Sequence, residues 1–142
     1  MEKRLFVYTD GGARGNPGKA AIGIIILDEN DQMIEEYKEF VGIKTNNEAE
    51  YRAIIRALEL CKKYAKKVHI YSDSELVVRQ LNGEYKIKKK ELKELFEQVE
   101  KAEKEFEEVS YQNVPRENEH MQEADKLVNK ALDERGKDRR IY

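Results

Sequence analysis

The stretch Leu5-Phe6-Val7-Tyr8-Thr9-Asp10-Gly11-Gly12-Ala13-Arg14-Gly15-Asn16-Pro17-Gly18 begins as a short apolar, β-prone run and ends in a dense set of turn residues. It predicts a strand over residues 5–9 that stops at Asp10 and enters a loop. Glycines after a strand invite a phosphate-cradling reading, but the spacing excludes it. A P-loop places four residues between its first Gly and the Gly-Lys pair, then Ser or Thr and a helix. Here five residues separate Gly12 from Gly18, Ala20 follows Lys19, and residues 20–27 are a strand-like apolar run. The dinucleotide fingerprint fails as well, because no helix follows the glycines. What remains is a tight connection between strands. Residues 28–32 form a polar turn, and residues 33–41 resume as a third strand with partial alternation, which makes an antiparallel meander.

Outward from the meander, Thr45-Asn46-Asn47-Glu48 has the form of a capping box, so a helix starts there. Ala49, Ala53, Ile54, Ala57, Leu58 and Cys61 recur at helical spacing, and lysines gather at the helix end. Residues 68–72 are a fourth strand, parallel to the first because a helix intervenes. Residues 74–81 form a short helix, and residues 88–106 a longer one with a stripe of Leu92, Leu95, Phe96, Val99 and Ala102. A fifth strand covers 107–114, a last helix 121–134, and a basic tail 136–142. The order βββ-α-β-α-α-β-α predicts an α/β fold: a five-stranded mixed sheet, antiparallel meander plus parallel strands, flanked by helices. It reads as a single domain over residues 1–142.

Composition sets limits. Charged residues make up 39% of the 142, but 27 Lys and Arg nearly cancel 29 Asp and Glu, leaving a formal charge of −2. That balance alone favours a small cytoplasmic enzyme or interaction domain over a nucleic-acid binder. One cysteine, Cys61, excludes an intramolecular disulfide, and with only His69 and His120 beside it there is no closed Cys/His zinc site. The apolar run at 20–27 is far short of the ~20 residues that span a bilayer, so no membrane association is expected.

Four carboxylates carry the chemistry. If the first strand alternates, Asp10 continues the row of Phe6 and Tyr8 at the strand's C-terminal end. Asp73 ends the fourth strand after His69 and Tyr71, beside Asp10 in a parallel pair, although a helix N-cap would also suit it. Glu50 shares the buried face of Ala53, Ile54, Ala57, Leu58 and Cys61, where an unpaired carboxylate is costly. Asp125 shares a stripe with Met121, Val128 and Leu132. For Glu50 and Asp125 the alternatives are a buried salt bridge or a stripe-edge side chain reaching solvent. Two unit charges ~4 Å apart repel by about 4 kcal/mol at an effective dielectric near 20, so four clustered carboxylates need cations or protons. All-oxygen ligands select Mg²⁺ or Mn²⁺, and a pair of such ions suits in-line phosphoryl displacement.

These residues resemble type 1 ribonuclease H. The resemblance runs through Tyr8-Thr9-Asp10-Gly11-Gly12, Gly15-Asn16-Pro17-Gly18, Thr45-Asn46-Asn47-Glu48-Ala49-Glu50, Ser72-Asp73-Ser74-Glu75 and Glu123-Ala124-Asp125-Lys126-Leu127-Val128, in family order. The chain looks like the compact archaeal and bacterial form without a basic protrusion. The resemblance implies a ribonuclease H-like fold and cleavage of the RNA strand of RNA–DNA hybrids to 5′-phosphate and 3′-hydroxyl ends. By it, Asp10, Glu50, Asp73 and Asp125 hold two Mg²⁺ or Mn²⁺ ions, one activating water and one stabilising the leaving oxygen. It also implies that Asn16, Asn46 and Asn47 read RNA across the minor groove, that Thr45 meets a DNA phosphate, and that Gly11, Gly12 and Ser74 line the substrate site.

Departures from the family pattern pose further questions. Where many relatives carry a loop His before the last helix, this chain offers Arg116 or His120; Arg would bring positive charge but no base. Ile43 stands where some relatives have a phosphate-binding Arg. Lys86, Lys88, Lys89 and Lys90, next to Tyr85, are the densest basic cluster, either a solvated helix start or a replacement for the protrusion in substrate binding. The expectation is a monomeric hybrid-cutting enzyme without an obligatory protein partner. A non-catalytic hybrid-binding relative would be expected to lack a carboxylate, and another nuclease, integrase or resolvase of this fold would not need the Thr45-Asn46-Asn47 set. Loading two divalent ions onto a chain of charge −2 leaves it mildly basic, so the charge balance does not argue against nucleic acid.

Overall fold

The computed structural model describes residues 3–136. Strands β1 (Arg4–Gly15), β2 (Gly18–Leu27) and β3 (Met33–Lys44) form the meander; α1 (Asn46–Cys61) leads to β4 (Lys67–Ser72). Helices α2 (Glu75–Leu81) and α3 (Lys90–Glu103), β5 (Glu108–Asn113) and α4 (Glu119–Gly136) complete the expected order. The sheet runs β3-β2-β1-β4-β5, with β1 antiparallel to β2 and parallel to β4. The basic tail lies outside the described residues, apart from Gly136 at the end of α4.

The sheet divides two apolar layers. Leu5, Val7, Ile24, Ile26, Val68 and Ile70 pack with α1, α2 and α3 on one face. Ala21, Ile25 and Leu27 pack with Ala124, Val128, Ala131 and Leu132 of α4 on the other. The capping box forms as read: Thr45 Oγ1 accepts from Glu48 N at 3.2 Å and Glu48 Oε1 accepts from Thr45 N at 2.9 Å. The polar turn before β3 is pinned by Asp28 Oδ1, which accepts from Asn30 N and Gln32 N.

One local expectation fails. The glycine-rich stretch is not a loop: β1 runs on through it, and its ladder with β2 extends to Gly15 opposite Gly18. Asp10 is therefore mid-strand, opposite Gly23, and the glycines serve close packing. A Cβ on Gly11 would lie 2.3 Å from the Ala49 carbonyl, and one on Gly23 would lie 2.2 Å from the Ala124 oxygen. Both helices thus touch the sheet backbone where side chains are absent. The third helix is also shorter than the expected 88–106; Lys88 and Lys89 precede it, and no side chain caps its start.

Gly23→Ala should destabilise the fold by about 1–3 kcal/mol, because α4 must move off the strand. Gly12→Ala, whose nearest neighbour would be Val128 Cγ1 at 3.7 Å, should cost little. Denaturant midpoints compare the two; equal midpoints would refute the packing role of Gly23.

Candidate metal centre and substrate groove

Three of the four carboxylates converge. One carboxylate oxygen each from Asp10, Glu50 and Asp73 lie within 4.8 Å of one another. Asp10 comes from β1, and its neighbour strand β4 is in register at Tyr8 and Tyr71, so Asp73 follows the end of β4 alongside it. Glu50 arrives from the first turns of α1, and its Oε1 accepts from Gly11 N at 2.5 Å. That bond exists because Gly11 admits the helix. Asp73 is free for the site because Ser74 caps α2 instead, its Oγ accepting from Val77 N at 3.3 Å.

Asp125 stands differently from expectation. It is exposed, since the buried stripe of α4 consists of Met121, Ala124, Val128, Ala131 and Leu132, and Asp125 flanks it at the edge. It still reaches the centre: its charge and a side-chain hydrogen bond act on Asp10. Its own Oδ2 is 3.4 Å from Asn129 Nδ2.

The electrostatics follow from crowding. Asp10 and Glu50 are only 8% and 7% exposed. Burial, then Asp73 and Asp125, push the Asp10 carboxyl up to about 8, against a hydrogen bond from the Gly11 amide. Burial and the charges of Asp10 and Asp73 hold Glu50 well above the ordinary carboxylate range. Asp73 is raised by burial and by Asp125, with Arg116 opposing. The donor set is all oxygen, with Asp10 and Glu50 buried and Asp73 partly so, and burial and mutual repulsion disfavour its charged form. That chemistry fits a hard divalent ion.

The two candidates before α4 separate clearly. Arg116 Nε lies 3.7 Å from Asp73 Oδ2 on a largely exposed side chain. His120 instead contacts Glu123 at 2.6 Å and Asp31 at 3.1 Å, and its ring lies tilted against Tyr8 with centroids 4.9 Å apart. Burial alone would lower its pKa, but those two carboxylates raise it. Both nitrogens of His120 are therefore engaged away from the carboxylate cluster.

A groove lies at the N-terminus of α1, the helix that delivers Glu50. Asn16, Thr45, Asn46, Asn47 and Lys89 line one depression of about 530 Å³. Asn16 Oδ1 accepts from Asn46 N and Asn46 Oδ1 accepts from Ala13 N, both at 2.9 Å, which locks the β1–β2 turn to the helix start. Asn47, Lys86, Lys88 and Lys89 line a neighbouring depression with Leu76 and Tyr85. Lys90 is exposed at the start of α3 but lines neither depression. Gly12 stands on β1 beside Val128. Sequence reasoning missed Leu76, 39% exposed; an apolar residue beside the Ser74 cap was the only available signal.

The sheet order, helix placement and carboxylate cluster define a ribonuclease H-like fold. The family described as reverse transcriptase-like matches residues 8–131. Ribonuclease H1 of the halophilic archaeon Halobacterium salinarum superposes with a TM-score of 0.87 at 33% identity, over 92% of this chain and 98% of that one. LC11-RNase H1, solved in complex with an RNA/DNA hybrid, gives 0.86 at 41% identity over 92% and 97%. A bifunctional protein of Mycobacterium tuberculosis is 36% identical over 132 residues, 92% of this chain. The chain spans 36% of that relative's length and 65% of that of the curated Halobacterium salinarum ribonuclease HI. The chain belongs to the reverse transcriptase-like family, on its type 1 ribonuclease H branch.

The raised carboxyls predict a pH effect in chelator. Between the ordinary carboxylate range near 4 and about 8, folded Asp10 retains a proton that the unfolded chain has released, so its contribution destabilises the fold as pH rises through that window. The melting temperature of Asp10→Asn minus that of wild type should therefore grow from pH 5 to pH 8 without metal. A constant difference would refute the crowding.

Proposed function

We propose that the chain is an endoribonuclease hydrolysing the RNA strand of RNA–DNA hybrids with two divalent ions, Mg²⁺ or Mn²⁺, and leaving 5′-phosphate and 3′-hydroxyl ends. The observation that carries this is the Asp10–Glu50–Asp73 cluster, with Glu50 delivered by the helix whose N-terminus carries a groove lined by Asn16, Thr45, Asn46 and Asn47. Asp10, Glu50 and Asp73 would hold the ions, with Asp125 completing the set from the rim. When bound, such ions supply Lewis-acid charge and a water of lowered pKa.

The remaining chemistry belongs to the protein's side chains. Gly11 N orients Glu50 through its hydrogen bond, and Gly12, two residues beyond Asp10, faces Val128 of α4. Arg116, next to Asp73, brings positive charge toward the cleaved phosphate and cannot act as a base. His120 is clamped elsewhere and takes no part in this account. With their carbonyl oxygens committed to backbone amides, Asn16 and Asn46 offer NH₂ donors, suited to 2′-hydroxyl and base acceptors in the minor groove. Thr45 and Lys89 share the same depression, which suits a DNA-strand phosphate; Lys86 and Lys88 extend the positive charge. Ser74 keeps its hydroxyl on the helix cap, so its contribution is its position beside Asp73.

The whole chain is taken as one domain acting as a cytoplasmic monomer without an obligatory partner protein. Among the described residues no helix is long and apolar enough to cross a membrane.

One labelled sequence, presented as RNA–DNA, RNA–RNA and DNA–DNA duplexes with and without Mg²⁺ or Mn²⁺, tests the proposal. Metal-dependent cuts in the RNA strand of the hybrid are expected. Asp10→Asn should lose cleavage but keep hybrid binding, whereas replacing Lys86, Lys88, Lys89 and Lys90 with Ser should weaken binding and flatten its salt dependence. An uncut hybrid, or full activity in Asp10→Asn, would refute the reading.

A further inference from the structure

Two adjoining depressions run down one flank of α1 and share Arg52, Ile55, Arg56 and Glu59. The first, against β3, adds Lys44; the second, against α3, adds Lys62 and Lys101. Together they gather five cations against three carboxylates, in a chain whose formal charge is −2. Two of those carboxylates are already engaged with one cation. Arg56 Nε and Nη2 donate to the two oxygens of Glu39 at 3.0 and 3.4 Å, and its Nη1 lies 3.3 Å from Glu59. Lys44, Arg52, Lys62 and Lys101 have no carboxylate partner among the described residues. The floor beneath Arg52 is apolar, formed by Ile22, Val41 and Ile55. A row of unpaired cations over such a floor favours a polyanion.

Its position identifies which polyanion. Lys44 directly precedes Thr45, a residue of the proposed hybrid groove, so the flank begins where that groove passes. From Asn46, Arg52 is about 9 Å and Lys62 about 24 Å along the helix axis. The groove itself crosses the N-terminus of α1, from Asn16 to Lys89 and on to Tyr85, whereas the flank descends the helix. A duplex, with a persistence length of about 150 bp, does not turn within that distance. A single strand does.

We propose that the Lys44–Arg52–Lys62–Lys101 flank binds the phosphates of a single-stranded DNA extension leaving the hybrid at Thr45. The enzyme thereby gains affinity for hybrids that end in an unpaired DNA strand. This rests on the hybrid-cleavage reading above. The contact is electrostatic and reads no base sequence, since Phe40, the one aromatic residue beside the two depressions, turns its ring to the α4 face of the sheet under Arg135 at 4.6 Å.

Fluorescence anisotropy with the Asp10→Asn protein tests it, using hybrids that share one paired core. The core is presented blunt, with single-stranded DNA extended from either end, or with a double-stranded extension of equal length. Tighter binding and a steeper salt slope are expected for a single-stranded extension at one end only, by about 0.7 in slope for each phosphate engaged. Lys44→Gln with Arg52→Gln should abolish that gain and leave the blunt hybrid unchanged. Lys62→Gln with Lys101→Gln should reduce the gain only for longer extensions. No gain at either end, an equal gain from the double-stranded extension, or equal weakening of the blunt hybrid would overturn the proposal. A blunt hybrid that does not bind at all would overturn the hybrid reading beneath it.

Discussion

Gly11 is where the first turn of α1 meets β1, and nearly every feature of the centre depends on that contact. Because no Cβ intervenes, the helix backbone closes on the strand, and the Gly11 amide takes the Glu50 carboxylate at 2.5 Å. Glu50 is thereby held beside Asp10 and Asp73 in a buried pocket, where two like charges ~4 Å apart repel by about 4 kcal/mol at an effective dielectric near 20. Packing forces the approach and electrostatics opposes it. The conflict is resolved by protons in the free protein and by divalent ions in the proposed enzyme. Gly23 does the same for α4, bringing Asp125 to the rim.

Much of this was legible because it is local. The capping box at Thr45–Glu48 involves two bonds within four residues, so sequence spacing alone predicts it. The burial of Glu50 follows from the stripe it shares, and the parallel pairing of β1 with β4 from the intervening helix. The glycine stretch was misread because turn propensity is local, while the reason for these glycines lies in helices remote in sequence. Asp125 sits at the stripe edge, an alternative the spacing leaves open, for a related reason. Helical periodicity locates a stripe but not its edge, and the edge depends on how α4 is rotated against β2.

The choice between Arg116 and His120 could not be made from the chain alone. Both precede or open the last helix, and each is chemically suited to the site. The β2–β3 turn places Asp31 against His120, while Glu123 and Tyr8 complete the clamp. Arg116 is left beside Asp73. The acidic residues concentrated at the centre explain why a net charge near zero misleads: a groove edge and a helix flank gather lysines and arginines that the average conceals.

The central claim is that crowded, protonated carboxylates form a divalent-ion site. Calorimetric titration of Mn²⁺ at pH 7, in buffers of different ionisation enthalpy, counts the protons released on binding. With the Asp10 carboxyl near 8 in the free protein, the account predicts that binding releases protons, and that Asp10→Asn reduces the release. Binding without proton release, or a release unchanged in that variant, would contradict it.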